Sequence, residues 1–207
     1  MAFSDEFLAE SAAILGKFDI SAIEAMVGKF VDVRRRGGRI FCLGVGGSAA
    51  TASHCVNDLR KIGRFEAYAP TDNVAELTAR TNDEGWETVF SAWLIGSRLS
   101  SRDMVFILSV GGGDIERNIS PNLVRALQHS REIGATICGV VGRDGGYTAK
   151  VADACVIVPT INAAHITPQA EALAGVICHL LVTHPLIKAA ATKWEATDVK
   201  PAKAEAA

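Results

Sequence analysis

The stretch Ile40-Phe41-Cys42-Leu43-Gly44-Val45-Gly46-Gly47-Ser48-Ala49-Ala50-Thr51 constrains the fold more than any other. An apolar run ends in glycines and a serine, and a helix-compatible segment follows at once. The order is strand, tight turn, helix. Glycines let the backbone take left-handed angles and come close to a ligand. A helix that starts there aims unpaired N–H groups and the positive end of its dipole into the turn. Such a turn is either an anion site, most often for phosphate, or a plain Gly-rich connection, and one glycine pattern does not choose between them.

The rest of the chain repeats the theme. Helical spacing of Phe7, Leu8, Ala12 and Leu15, and of Ile23, Met26, Val27, Phe30 and Val31, predicts two helices over 5–16 and 20–36. They precede the first strand, so they pack outside the sheet or against another subunit. Strands are predicted at 39–45, 65–68, 104–110, 136–141 and 154–158. Helices fill the gaps at 49–62, 74–80, 86–99 and 122–133, with 81–85 read as an interruption and 168–187 as the closing helix. Ser120-Pro121 reads as a helix start, since Ser is a good N-cap and Pro fits the first helical position. Segments 70–73 and 160–167 read as loops. Val/Ile-rich strands alternating with helices specify an α/β three-layer αβα sandwich around a mainly parallel five-stranded sheet. Ligands in such folds bind beyond the carboxyl ends of the strands. Three strand ends carry glycines, at 44–47, 111–113 and 145–146, and Ser48 and Ser109 add hydroxyls. Convergence of these turns favours the phosphate reading.

A net charge of −2 over 207 residues leaves no basic footprint for nucleic acid. Arg34-Arg35-Arg36 is a helix end followed by Gly37-Gly38 as a stop. Cys42, Cys55, Cys138, Cys155 and Cys178 lack CxxC spacing and read as reduced core residues of a cytoplasmic protein. The N-terminus has no signal-peptide pattern, and no uninterrupted apolar run is long enough to span a bilayer. One domain is expected over 1–188, including an N-terminal helical segment over 1–37. The Ala-, Lys-, Glu- and Thr-rich residues 189–207 are expected to form a flexible tail.

The order of motifs resembles the sugar-isomerase (SIS) domain family and, within it, the phosphoheptose isomerases. Gly44-Val45-Gly46-Gly47-Ser48 is similar to the family's Gly-Asn-Gly-Gly-Ser, with Val45 in place of Asn. The segment from Ala79 to Trp86 resembles its Asn-Asp-x-Gly-aromatic loop through Asn82 and Asp83, and Gly142-Arg143-Asp144-Gly145-Gly146 matches a further turn. The resemblance covers about residues 5–187. It implies a phosphosugar substrate, a homotetramer with active sites between subunits, and conversion of sedoheptulose 7-phosphate to a manno-heptose 7-phosphate. It further implies a zinc ion held at the positions of His54, Asp58, Glu171 and His179, with the carboxylate and the last His as acid and base. The phosphate and substrate contacts would come from Gly46, Gly47, Ser48, Asn82, Asp83, Ser109, Gly111, Ser120 and Glu171.

Read from the residues alone, His54 and Asp58 stand i, i+4 on one helix face, which suits a metal, a paired acid and base, or a surface hydrogen bond. Glu171 and His179 lie about 80° apart around their helix and can still flank one site. Two His and two carboxylates satisfy a zinc ion. The chain departs from the family pattern in three places. Asp58 replaces Glu and sets a base back by about 1.5 Å. Glu171 replaces a neutral Gln. The family's Ser-Thr-Ser-Gly-x-Ser loop becomes Ser109-Val110-Gly111-Gly112-Gly113-Asp114, with an insertion before Ser120. The expected activity is therefore an aldose–ketose isomerase working through an enediol, with Asp58 or His179 as base. The alternatives are an isomerase of another phosphosugar, or a non-catalytic module that binds a phosphosugar or a protein partner.

Overall fold

The computed structural model describes residues 2–193 and Glu195. Among the described residues, eight helices and five strands follow one another as α1 (Phe3–Leu15), α2 (Ile20–Arg35), β1 (Ile40–Leu43), α3 (Gly47–Lys61), β2 (Ala67–Tyr68), α4 (Val74–Glu84), α5 (Val89–Gly96), β3 (Met104–Ser109), α6 (Pro121–Ile133), β4 (Thr136–Val141), α7 (Gly146–Val151), β5 (Ala154–Ile157) and α8 (Ile166–Thr183). Short 3-10 turns at Pro70–Asp72 and Ala163–His165 precede α4 and α8. All five strands are parallel, in the order β2-β1-β3-β4-β5. This is the αβα architecture expected from the alternating pattern.

The strands are buried on both faces, and their period of two divides the core. Ile40, Cys42, Met104, Phe106 and Leu108 face a cluster with α2, α3 and α8. Phe41, Leu43, Val105 and Ile107 face α5 and α6. Crossovers run outward in opposite directions from β1 and β3, so their carboxyl ends form the switch point where such sheets bind ligands. At the opposite pole Asp103, 2 % exposed, locks the start of β3 to Arg39 before β1, with Arg39 Nη2 donating to Asp103 Oδ2 at 2.8 Å.

Several boundaries differ from the sequence expectations for local reasons. Helix α4 does not break at Thr81. Arg80 pairs with Glu76 and Glu84 across single turns, Thr81 Oγ1 donates to the Leu77 carbonyl, and the helix ends only at Gly85, whose φ is 90°. Helix α7 was not expected. It exists because Thr148 and Tyr147 donate their backbone N–H groups to Gly112 and Gly113 across the fold. Ser120 does stand immediately before α6, but in the left-handed region (φ 49°) and without a side-chain capping bond, so the N-cap reading of its hydroxyl is corrected. Between Gly113 and Ser120 the insertion folds back as a hairpin, with Asp114 and Ile119 exchanging N–H···O bonds at 3.0 Å.

Helix α2 lies on the sheet through Ile23, Met26, Val27, Phe30 and Val33, whereas α1 buries only Ile14 and leaves Phe3, Leu8 and Leu15 exposed. Trp93 is buried and Trp86 is exposed. By length and composition Ala163–Thr183 is long and apolar enough to cross a bilayer, and its buried side packs on α3, β3 and β4. Ala189 and Ala190 donate N–H bonds to the Ile62 carbonyl. Trp194 and residues 196–207 of the expected tail lie outside the described residues.

Candidate active site

Helices α3 and α8 pack side by side and bring His54 and Asp58 from one to His179 of the other. His54 Nε2 and His179 Nδ1 each lie 3.3 Å from the same oxygen, Asp58 Oδ2. The two imidazoles meet edge to face, with centroids 5.0 Å apart. The other carboxylate oxygen is engaged as well, because Asn57 Nδ2 donates to Asp58 Oδ1 at 2.9 Å. Asp58 is 8 % exposed, while both histidine side chains stay more than half exposed. The result is a buried, oriented carboxylate with two accessible imidazoles above it.

The i, i+4 step on α3 places His54 over Asp58, and the inward neighbours set the depth. Cys55 and Cys178, adjacent in sequence to His54 and His179, are buried behind the cluster. They form a thiol group with Cys42, and their pKa values lie well above the ordinary thiol range. For Cys178 the hydrogen bond with Cys55 is the largest cause, followed by burial and the charge of Asp58. For Cys55 the Cys178 contact pulls downward, and the contact with Cys42, burial and Asp58 together outweigh it. Thiols held neutral make a compact apolar backing.

The donor set is competent for a metal ion. Ligand atoms of His54, Asp58 and His179 all lie within 4.8 Å of one another. Two imidazole nitrogens and one carboxylate oxygen are a borderline-soft set that leaves a further position open. Glu171 is not part of that group. Its carboxylate sits over the glycine turn, 2.5–2.6 Å from where a Cβ on Gly47 would be. Gly46 precedes α3 with φ 63°, Gly47 opens the helix, and Ser48 is buried in its first turn. An acidic side chain therefore occupies the field at the amino end of α3.

The other expected residues are spread more widely. Ser109 Oγ accepts the Gly112 N–H at 3.0 Å, so its hydroxyl shapes the loop. Gly111 lines a pocket with Arg143 and the 114–119 hairpin. Asn82 and Asp83 are exposed on α4, where Asn82 Nδ2 donates to Asp83 Oδ1. Outside that set, His165 is held by Glu10 of α1, Nδ1 to Oε2 at 2.7 Å, with Asn162 donating to the other Glu10 oxygen. The sequence reading did not find Asn57, because nothing in periodicity marks a residue that turns back on its neighbour. It did not find Glu10 either, which meets His165 only through the tertiary fold.

A doubly wound parallel sheet, with glycine turns at its switch point and a His/Asp cluster on the flanking helices, defines a small-ligand α/β protein. Residues 6–142 match the SIS domain, and the chain belongs to that family. It is 32% identical over 174 residues to a phosphoheptose isomerase of Geobacter sp. (strain M21), spanning 81% of this chain and 86% of that one. Phosphoheptose isomerase GmhA from Neisseria gonorrhoeae has the same fold, with a TM-score of 0.72 and 25% identity over 86% of this chain and 96% of its own. The Vibrio vulnificus NanR protein, solved with ManNAc-6P, shares the fold at 13% identity and a TM-score of 0.58, over 86% of this chain and 58% of its own.

Proposed function

We propose that this protein is an aldose–ketose isomerase that converts sedoheptulose 7-phosphate to D-glycero-D-manno-heptose 7-phosphate through an enediol. The observation that carries the reading is one carboxylate oxygen of Asp58 placed between His54 and His179, in a chain 32% identical to a phosphoheptose isomerase.

The reaction moves a proton between C1 and C2 and another between their oxygens. Both oxygens of Asp58 are engaged, by Asn57 and by the two imidazoles, and its side chain is short and buried. Asp58 therefore orients and holds charge, and His179 is the better mobile base. His179 turns Nδ1 toward Asp58, which leaves Nε2 on the exposed side to take a proton from the substrate carbon. Asp58 stabilises the imidazolium that results, as a carboxylate does behind a catalytic His. His54 stands opposite and is placed to pass the proton between the two oxygens. A zinc ion fits the group of His54, Asp58 and His179; held by His54 and Asp58 while His179 carries the proton, it would supply Lewis-acid stabilisation of negative charge on the substrate oxygens. A homotetramer in the cytoplasm belongs to the same reading, supported by the exposed apolar side of α1.

Incubation of the purified protein with sedoheptulose 7-phosphate, with and without added zinc, tests this by NMR detection of the aldose. Conversion by the wild type and its loss in His179→Ala, with an unchanged melting temperature, is the expected result. Near-normal turnover by that variant refutes the role of His179, and absence of conversion by the metal-loaded wild type refutes this substrate. The NanR likeness keeps a second reading, a binding module for a phosphosugar, which predicts saturable binding of the sugar phosphate without turnover.

A further inference from the structure

The run Arg34-Arg35-Arg36 closes α2, and its three side chains go to different places. Arg35 is exposed and faces Asp32 at 3.6 Å, one turn earlier. Arg36 donates to the Arg102 carbonyl and to Thr136, before β3 and at the start of β4. Arg34 is half-buried and reaches the seam between α3 and α8. Its Nη2 donates to the Gly63 and Ile187 carbonyls, each at 2.6 Å, and its Nη1 donates to the Leu186 carbonyl at 3.1 Å. The guanidinium carbon lies 4.3 Å from the centre of the Phe65 ring. One planar cation thus binds the chain just past the end of both helices that carry the His54–Asp58–His179 cluster.

The chemistry of helix ends explains the residue type. The last carbonyls of a helix lack intrahelical partners and carry the negative end of its dipole, so two such ends side by side favour a cation between them. A guanidinium presents its donors in a rigid fork, whereas an ammonium is a compact point charge on a flexible stem. The clamp also lies close to the cluster, since Asp58 and His179 both fall within the last five residues of their helices. Gly63 donates its own N–H to the Asp58 carbonyl at 3.2 Å, and Ile62 donates to the same oxygen at 2.8 Å. On the other side, Ile187 donates to the His184 carbonyl at 2.8 Å, and His184 to the Leu181 carbonyl at 3.2 Å. The Ile187 side chain is fully buried in the core that α2, α3 and α8 share. Ala189 and Ala190 already hold the Ile62 carbonyl, so the two ends stay joined without Arg34, and the guanidinium adds their register.

We propose that Arg34 is a positioning residue for the cluster, setting the register of α8 against α3 and with it the placement of His179 beside Asp58. His179 Nδ1 stands 3.3 Å from Asp58 Oδ2. A slip of one residue moves His179 by about 1.5 Å along its helix, which takes that contact out of hydrogen-bond reach. The assignment rests on reading His54, Asp58 and His179 as one site, and not on the identity of the sugar.

Two variants of the full chain test it. Arg34→Lys keeps the charge and the stem over Phe65 and loses the fork. Arg39→Lys is the control, because Arg39 likewise holds two carbonyls, those of Ser97 and Arg98 after α5, on the other face of the sheet. Zinc affinity by chelator competition is expected to fall about tenfold in Arg34→Lys and to stay at the wild-type value in Arg39→Lys, whatever each loses in melting temperature. Thiol labelling of the metal-free native protein reads the register without metal or substrate, since Cys55 and Cys178 are hydrogen-bonded to each other across the α3–α8 seam. Their labelling should speed up several-fold relative to Cys138 in Arg34→Lys alone. Unchanged zinc affinity, unchanged labelling, or equal effects in Arg39→Lys overturns the proposal. A wild type that binds no zinc counts against the metal centre and leaves the labelling to decide. With sedoheptulose 7-phosphate, Arg34→Lys should lower kcat with KM held, and a wild type without turnover counts against the isomerase reading alone.

Discussion

Two glycines three residues apart in the first turn answer to different neighbours. A Cβ on Gly44 would lie 2.4 Å from the Ser48 carbonyl oxygen, which is helix backbone and cannot retreat. The atoms nearest a Cβ on Gly47 belong to the end of the flexible Glu171 side chain. Gly44→Ala is therefore expected to cost about 3 kcal/mol, at the upper end of overpacking penalties, and Gly47→Ala less than about 1 kcal/mol. Urea unfolding of the two variants checks this, and equal losses would contradict it. Asn57 acts at the same scale. It contacts Asp58 and, by this reading, not the substrate, so it is a positioning residue. Asn57→Ala should weaken zinc about tenfold, as loss of a ligand's supporting partner does, with little change in melting temperature. Chelator competition measures the metal term apart from turnover, and unchanged affinity would remove Asn57 from the site. The positions of His54 and Asp58 were legible in the sequence because one helical turn fixes their separation. Their pairing with His179 entered only through the family resemblance, since no local rule joins α3 to α8.

At the scale of elements, α1 is tied to the segment before α8 by Glu10, Asn162 and His165, with Phe3 and Phe7 against the imidazole. Hydrogen bonds from Asn162 first and His165 second hold the Glu10 carboxyl below its ordinary range. A depressed carboxyl contributes stability that is present above the unfolded pKa of about 4.3 and is lost as pH falls through the folded value. The melting-temperature gap between wild type and Glu10→Gln should therefore be constant from neutral pH down to about 5 and close below 4. A gap that persists in acid would show that the clasp works by packing alone. The strands and most helices were readable from apolar periodicity and glycine stops. The two elements misread, α4 beyond Arg80 and the whole of α7, are held by contacts that periodicity does not encode. Arg80 bridges two glutamates, and Thr148 is fastened to a loop 36 residues earlier.

For the whole molecule, the two cores on either side of one parallel sheet account for all five cysteines. Burial pushes the Cys155 thiol up to about 11 and Cys138 further still. A thiol reagent at neutral pH should modify none of the five in the native protein and all five in denaturant; fast labelling of Cys55 or Cys178 would mean that α3 and α8 separate. The sheet order has a consequence in time as well as in space. β1 finds β3 only after the three helices between them have been made, and α8, which supplies His179, is made after all five strands. Non-local parallel pairing is slow, and long chains fold through intermediates. A nascent chain that has already made β1 and α3 carries His54 and Asp58 but cannot close the cluster. Closure of the cluster thus waits until α8 docks on α3.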